Sequence, residues 1–504
     1  MVAKIKTFSF AGIDALPVDV QVKISPGKPL FNIVGLPDKA VGESKERVRA
    51  AILSTGLAWP HKRITVNLAP ADLQKEGSHF DLAIALGIMI EIGVLEQAML
   101  DDFFALGELG LDGSIAPVGG IISAAISANQ FNCGIICPQK NGSEAAWAGD
   151  LSIIAAPDIL TLLNHLKGEQ ILARPQTSKI FTKENFRDLS EVKGQEIAKR
   201  ALEIAAAGGH NLLMVGPPGT GKSMLASRLP GILPPLSLEE ILEINMIASI
   251  SGKIVDGELF TNRPFREVHH SASMPAMVGG GARAKPGEIS LAHNGVLFLD
   301  ELAEFPRQVL DALRQPLETG NVSIARVNSH ITYPANFQLI AAMNPCRCGF
   351  LTDGARECKK APLCGEEYKN KISGPLLDRI DIVTHVGAID IFSIDKLKKP
   401  ESSKVVSDRV LAAREYQRQR YEKISAMQNQ PKINARIEGK ILEEFCILDE
   451  KSQKILQNAV EKMHSSMRGI TRILRVARTI ADLDLCEKIE AVHLLEAISY
   501  RRKI

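Results

Sequence analysis

The chain has 504 residues, 45% of them hydrophobic and 23% charged, enough for three or four domains with separate cores. A formal net charge of +2 excludes a surface coated in basic residues, so any nucleic-acid contact has to be local. No apolar run reaches the length of a membrane span, the N-terminus MVAKIKTFSFAGID lacks a signal-peptide core, and eight cysteines are too few for a disulfide scaffold. A cytoplasmic α/β multidomain protein with no membrane partner is expected.

Residues 1–165 alternate strand and helix signals. VDVQVKI (18–24) and RITVNLA (63–69) carry apolar residues at period two, as half-buried strands do. FDLAIALGIMIEIGVL (80–95) is apolar enough for a buried helix, and ALGELGLDGSIAPVGG (105–120) reads as two short strands turning at Asp112-Gly113. Cys133 and Cys137 lie four apart in an apolar run and are expected in the core. The polar stretch 166–187 reads as a linker. Across 188–395 the pattern becomes strand–loop–helix around NLLMVG, GVLFLDE and FQLIAAMN, which predicts a mostly parallel sheet with helices on both faces. From 396 to 504 the chain turns helical.

The strand NLLMV runs into Gly216-Pro217-Pro218-Gly219-Thr220-Gly221-Lys222-Ser223, a phosphate loop of the form G-x-x-x-x-G-K-[ST]. Its glycines let backbone N–H groups turn toward phosphate oxygens. Lys222 supplies a point charge for the β and γ phosphates, Ser223 a hydroxyl for Mg²⁺, and MLASRL a helix whose dipole favours the anion. ATP and Mg²⁺ are therefore expected. GVLFLDE ends in Asp300 and Glu301, placing two carboxylates at the sheet edge where such folds bind ligands. Asp300 is suited to hold Mg²⁺ and Glu301 to polarise the attacking water. Asn344 ends FQLIAAMN, within reach of the γ-phosphate or that water. In SGPLLDRIDI, Arg379 fits a finger reaching a neighbouring subunit's phosphate, or else a plain ion pair with Asp378 or Asp381.

Cys346, Cys348, Cys358 and Cys364 form C-x-C-x₉-C-x₅-C. They either close a tetrahedral Zn²⁺ site or remain reduced thiols. VSIARVNSHITYP (322–334) reads as a hairpin whose tip carries Arg326, a candidate for the DNA backbone. The glycine-rich insert 279–285 offers Arg283 and Lys285 to the same partner. His269 and His270 beside it lack metal-ligand spacing and are expected to be structural. Basic excesses at 403–423 and 461–504 are modest and suit either a solvated helix face or phosphate contact.

The run REVHHSASMPAMVGGGARAKPGEISLAHNGVLFLDELAEFPRQVLDALRQPLETG, with AAMNPCRCG and ISGPLLDRIDI, resembles the ComM (also called YifB) family of magnesium-chelatase-like AAA+ ATPases. The resemblance covers essentially the whole chain. It implies a ring, a hexamer, with ATP between subunits and DNA as the track, and branch migration during natural transformation. It matches Lys222 and Ser223 to Walker A, Asp300 and Glu301 to Walker B, Asn344 to sensor 1 and Arg379 to the arginine finger. Arg468 falls at sensor 2 in the helical lid, with Arg472 as the alternative.

Residues 1–165 are similar to the Lon protease domain and the C-terminal part of RadA, through KEGSHFDLAIALG and GELGLDGSIAPVGGI. That resemblance puts His79 where the nucleophile belongs and Ile122 where its lysine belongs, so a non-proteolytic platform is expected. The rival readings are a magnesium-chelatase ATPase subunit and a protein-remodelling regulatory ATPase. The Lon-like domain is the argument against the first.

Overall fold

The computed structural model describes residues 2–177, 186–254, 257–281, 284–325, 330–351, 358–388, 400–422, 433–463 and 466–501. Its N-terminal part is built on a seven-stranded mixed sheet. The strands run, edge to edge, Leu30–Val34, Arg63–Ala69, Asp14–Ser25, Ala3–Ala11, Phe103–Ala105, Gly134–Pro138 and Ile153–Ala156. Asp14–Ser25 is antiparallel to both its neighbours. The remaining pairs are parallel. The apolar helix Asp81–Glu91 is buried from Asp81 to Met89. The short strands Glu108–Leu109 and Ile115–Ala116 pair around a turn in which Gly113 has φ +85°. Cys137 is buried in its strand, but Cys133 precedes it half-buried, its Sγ 3.7 Å from Lys6 Nζ, so only one of the two is core.

Beyond residue 187 a second sheet of five parallel strands takes the order Phe265–Val268, Val296–Leu299, Gln338–Met343, Leu212–Val215, Ile382–His385. Its three central strands are buried along their whole length, because both faces are covered. The period of two is explicit in the packing. Leu212, Met214, Val296, Phe298, Ile340 and Ala342 share one core, while Leu213, Val215, Leu297, Leu299, Leu339 and Ala341 share the other.

The C-terminal helices Ser403–Glu422, Gly439–Phe445, Glu450–Met463, Met467–Leu483 and Ala491–Ser499 follow. Ile473, Val476, Ala477, Ile480 and Leu494 join the first of those cores together with the helix Glu196–Gly208. Val383 N–H also donates to Tyr500 O at 2.9 Å, tying the chain's end to the edge strand. The N-terminal part meets the second sheet's helices at Ser249, whose Oγ accepts from Gly120 N–H at 2.7 Å and donates to Glu144.

The hairpin Asn321–Ala325 with His330–Pro334 forms in the expected register, Val322 opposite Tyr333 and Ile324 opposite Ile331. Its tip, with Arg326, lies outside the described residues, as does Arg283. One element is shorter than MLASRL implied. The helix Lys222–Ala226 stops there because Pro230, four residues on, has no N–H to give Ala226 O.

Candidate active site

The carboxyl edge of the five-stranded sheet gathers the polar residues. Gly216 N–H donates to Met343 O at 3.1 Å, so the phosphate loop leaves its strand pinned to the neighbouring one. A Cβ at Gly216 would sit 2.1 Å from Val386 O, which only glycine avoids. Gly219 and Gly221 take φ +78° and +88°, and a Cβ on either would face open space. The loop therefore keeps a concave, unfilled face of the kind that admits phosphate oxygens.

Lys222 is only 8% exposed. Its Nζ donates to Gly216 O and Pro217 O, each at 2.8 Å, and to Asn344 Oδ1 at 3.2 Å. Burial pulls the ammonium below its ordinary pKa, and the Asp300 and Glu301 charges oppose that shift. The cation is thus held over the loop before any anion arrives. Asn344 reaches it from the end of the adjacent strand.

Val296–Leu299 delivers the acids. Ser223 Oγ donates to Asp300 Oδ2 at 2.6 Å, and Glu301 N–H to Asp300 Oδ1 at 2.8 Å. Glu301 itself has φ 52° and ψ 48°, a left-handed backbone costing a non-glycine residue about 1–2 kcal/mol. That conformation turns its half-exposed carboxylate to His270, whose Nδ1 lies 3.2 Å from Oε2. The His270 ring stacks against His269 at 4.1 Å and stands edge-on to Phe305.

The approach of His270 to Glu301 is a contact that spacing alone missed. Val268 pairs with Leu299 in register, so residues two positions beyond each strand emerge side by side. A polar residue at that offset after the strand preceding GVLFLDE is the signal that would have found it.

Arg379 is engaged within its own protomer, but with neither aspartate expected. Its Nη2 lies 2.8 Å from Glu318 Oε2, and its other nitrogens donate to Arg314 O and Pro375 O. Asp378 faces Arg472 at 3.6 Å and Asp381 faces His210 at 3.4 Å. On the helix Met467–Leu483, Arg468 is exposed whereas Arg472 is 5% exposed. Arg472 is held by Asp378, and among the described residues no such ion pair is seen for Arg468.

Lys285 is exposed, on a two-residue strand paired with Gly279–Gly280. Each arginine of 403–423 has a partner, Arg418 on the exposed face of its own helix. Arg409 binds Glu203 and Glu401, Arg414 donates to Ala206 O, Arg418 binds Glu415 and Glu422, and Arg420 binds Asp482. The four clustered cysteines bring their sulfurs within 4.8 Å of one another.

In the N-terminal part the Lon-type positions are occupied by structural contacts. His79 is buried, its Nε2 2.8 Å from Phe8 O, and burial pushes the imidazole down to about 4. Ser78 donates to Glu108, Ile122 is fully buried, and the buried Lys75 donates to Pro70 O.

An open glycine loop, a buried lysine above it, and a serine hydroxyl bonded to an aspartate form a donor set matched to a triphosphate and a hard divalent cation. Chemically, this edge can bind ATP and polarise water for in-line attack.

Comparison with known proteins agrees along the chain. The profile described as "Magnesium chelatase, subunit ChlI" matches residues 188–393. Those for "Subunit ChlI of Mg-chelatase" and the ChlI C-terminal part match 20–141 and 400–501. Protein YifB of Salmonella typhimurium is 44% identical over 99% of this chain and 97% of its own. Competence protein ComM of Haemophilus influenzae is 44% identical over 98% and 96%. The magnesium-chelatase 67 kDa subunit of Heliobacterium mobile is 28% identical over 32% of this chain and 29% of its own. No helix among the described residues is long and apolar enough to cross a membrane.

Proposed function

This chain belongs to the ComM/YifB family of magnesium-chelatase-like AAA+ ATPases, and we propose that it forms a hexameric ring that uses ATP hydrolysis to move on DNA. The activity we assign is helicase-type branch migration during recombination of incoming DNA. The observation carrying the ATPase half is one hydrogen-bonded set, Lys222 with Asn344 and Ser223 with Asp300, assembled from three strand ends. The DNA half is supported by 44% identity across nearly the full length of a protein named for competence.

In this reading Lys222 carries the β and γ phosphates and Asn344 holds the γ-phosphate or the water. Ser223 and Asp300 are the residues that would hold Mg²⁺, which screens the phosphate charge. Glu301 accepts the proton of the attacking water. His270 fixes the direction of that carboxylate while the site is at rest. Arg379 leaves Glu318 to reach the phosphate of the adjoining protomer, and Arg468 closes the lid over its own nucleotide.

Lys285, Arg283 and Arg326 are the residues we assign to the DNA backbone. Tyr333 OH donates to Ala284 O at 3.0 Å, so the hairpin and the glycine-rich insert are tied together and would move as one. Contacts of this kind weaken as salt rises.

The test is ATP turnover with and without single-stranded DNA. A rise on adding DNA that fades with salt supports the motor; turnover indifferent to DNA removes it. The second reading, a chelatase-type subunit, draws on the profile match over residues 20–141. It predicts turnover indifferent to DNA but ATP-dependent insertion of Mg²⁺ into a porphyrin with partner subunits.

A further inference from the structure

In the stretch between Asn344 and Arg379 the described residues 345–351 and 358–362 are irregular, and the helix Leu363–Lys369 follows. Four side chains of the stretch nevertheless converge. The sulfurs of Cys346, Cys348, Cys358 and Cys364 lie within 4.8 Å of one another, with Cys346 fully buried. Cys346 Sγ and Cys348 Sγ are 3.1 Å apart, well beyond the roughly 2.05 Å of a disulfide bond. A tetrahedral zinc centre with bonds of about 2.3 Å spaces its sulfurs about 3.8 Å apart, close to what is seen.

The backbone is shaped to match. Gly349 N–H donates to Cys346 O and Ala361 N–H to Cys358 O, both at 3.0 Å, so a tight turn opens at each of two cysteines. Gly349 has φ +83°, which closes the first turn. Arg347, Lys359 and Lys360 interleave with the cysteines, and their charge offsets the net charge of about −2 of a zinc tetrathiolate.

The cluster also touches the nucleotide site. A Cβ on Gly349 would sit 2.7 Å from Pro218 Cδ, so this turn lies directly against the phosphate loop. Asn344 is two residues upstream of Cys346, and the helix holding Cys364 leads on to Arg379.

We propose that Cys346, Cys348, Cys358 and Cys364 bind one Zn²⁺ as a tetrathiolate centre, and that this centre braces the phosphate loop through Gly349 and Pro218. The metal staples the segment joining Asn344 to Arg379 ahead of the point where Tyr368, Ile372 and Leu376 enter the core. Its role is positioning: it touches neither nucleotide nor water.

The experiment uses the full chain purified without chelator. Elemental analysis should give about one zinc per chain, and Co²⁺ exchanged for it should show the intense visible bands of a tetrahedral thiolate site. Cys346→Ser and Cys364→Ser should lose the metal, while Cys133→Ser and Cys486→Ser keep it. Because the first two variants are open to misfolding, the wild-type chain is also stripped and reconstituted. Stripping should weaken binding of a non-hydrolysable ATP analogue about tenfold, and added zinc should restore it. Gly349→Ala should keep the zinc yet weaken the analogue by a similar factor. Full-length protein that is metal-free and binds the analogue at full strength overturns the proposal. So does zinc retained in Cys346→Ser together with Cys364→Ser, or analogue affinity indifferent to stripping.

Discussion

Two buried lysines, one in each sheet system, separate a working site from a scaffold. Lys222 and Lys75 are both withdrawn from water, and burial lowers the pKa of both. Lys75 donates a hydrogen bond to Pro70 O, and the nearby Ser78 is bonded to Glu108. Lys222 instead sits over glycines whose side-chain space is empty, facing two carboxylates, with Glu301 in a strained backbone. A buried cation marks a site when the groups around it leave room for a substrate. When no such room is left, it marks architecture.

The comparison is broken most sharply by replacing each lysine. Lys222→Ala should reduce ATP turnover to background, at least about a hundredfold, through loss of the charge positioned over the phosphates. Lys75→Met should leave turnover at the parental rate and lower only the stability of the N-terminal part, by about 1–3 kcal/mol, because Pro70 O loses its donor. Equal losses of turnover in both variants would dissolve the distinction.

Arg379→Ala comes next, with turnover falling about a thousandfold if the residue acts as a finger across an interface. Mixed rings with a Lys222→Ala partner should regain part of it, since each supplies what the other lacks. No rescue would leave the Glu318 ion pair as the whole role of Arg379.

Glu301→Gln should bind ATP with near-parental affinity and hydrolyse it about a hundredfold more slowly. His270→Ala should change turnover by a smaller factor and blunt any difference between DNA-bound and free protein; an unchanged response to DNA would make the histidine a bystander.

The last prediction concerns the scaffold. His79 is held neutral with its pKa near 4 against an ordinary 6.5, so the unfolded chain takes up the proton first as pH falls. The stability it contributes is complete above about pH 6.5 and is lost on the way down to pH 4, about 3 kcal/mol in total. Thermal unfolding of the N-terminal part across that window should show the slope, and His79→Gln should flatten it without altering ATP turnover.

Much of the candidate site's local geometry was legible because its chemistry is written locally. Glycine spacing reports a loop that must approach phosphates, and an apolar run ending in Asp300-Glu301 reports a buried strand meeting solvent. The two-faced sheet followed from the same apolar runs, and the hairpin at 322–334 from alternation. What escaped depends on partners from elsewhere in the fold. The His270–Glu301 contact requires the register between two strands, and the Arg379–Glu318 pair joins a helix to a turn about sixty residues on. The arginines of 403–423 suited either a solvated helix face or phosphate contact, and three of them bind carboxylates or backbone carbonyls elsewhere in the fold. The short helix after Lys222 was readable in principle, since Pro230 stands in the sequence.

The most direct test of the whole account is strand-exchange extension on a three-stranded DNA substrate, with ATP against a non-hydrolysable analogue. A translocating ring should extend the exchanged strand with ATP alone, and Glu301→Gln should abolish extension while still binding the substrate. Extension that is absent with ATP, or equal with the analogue, would contradict a motor driven by this site.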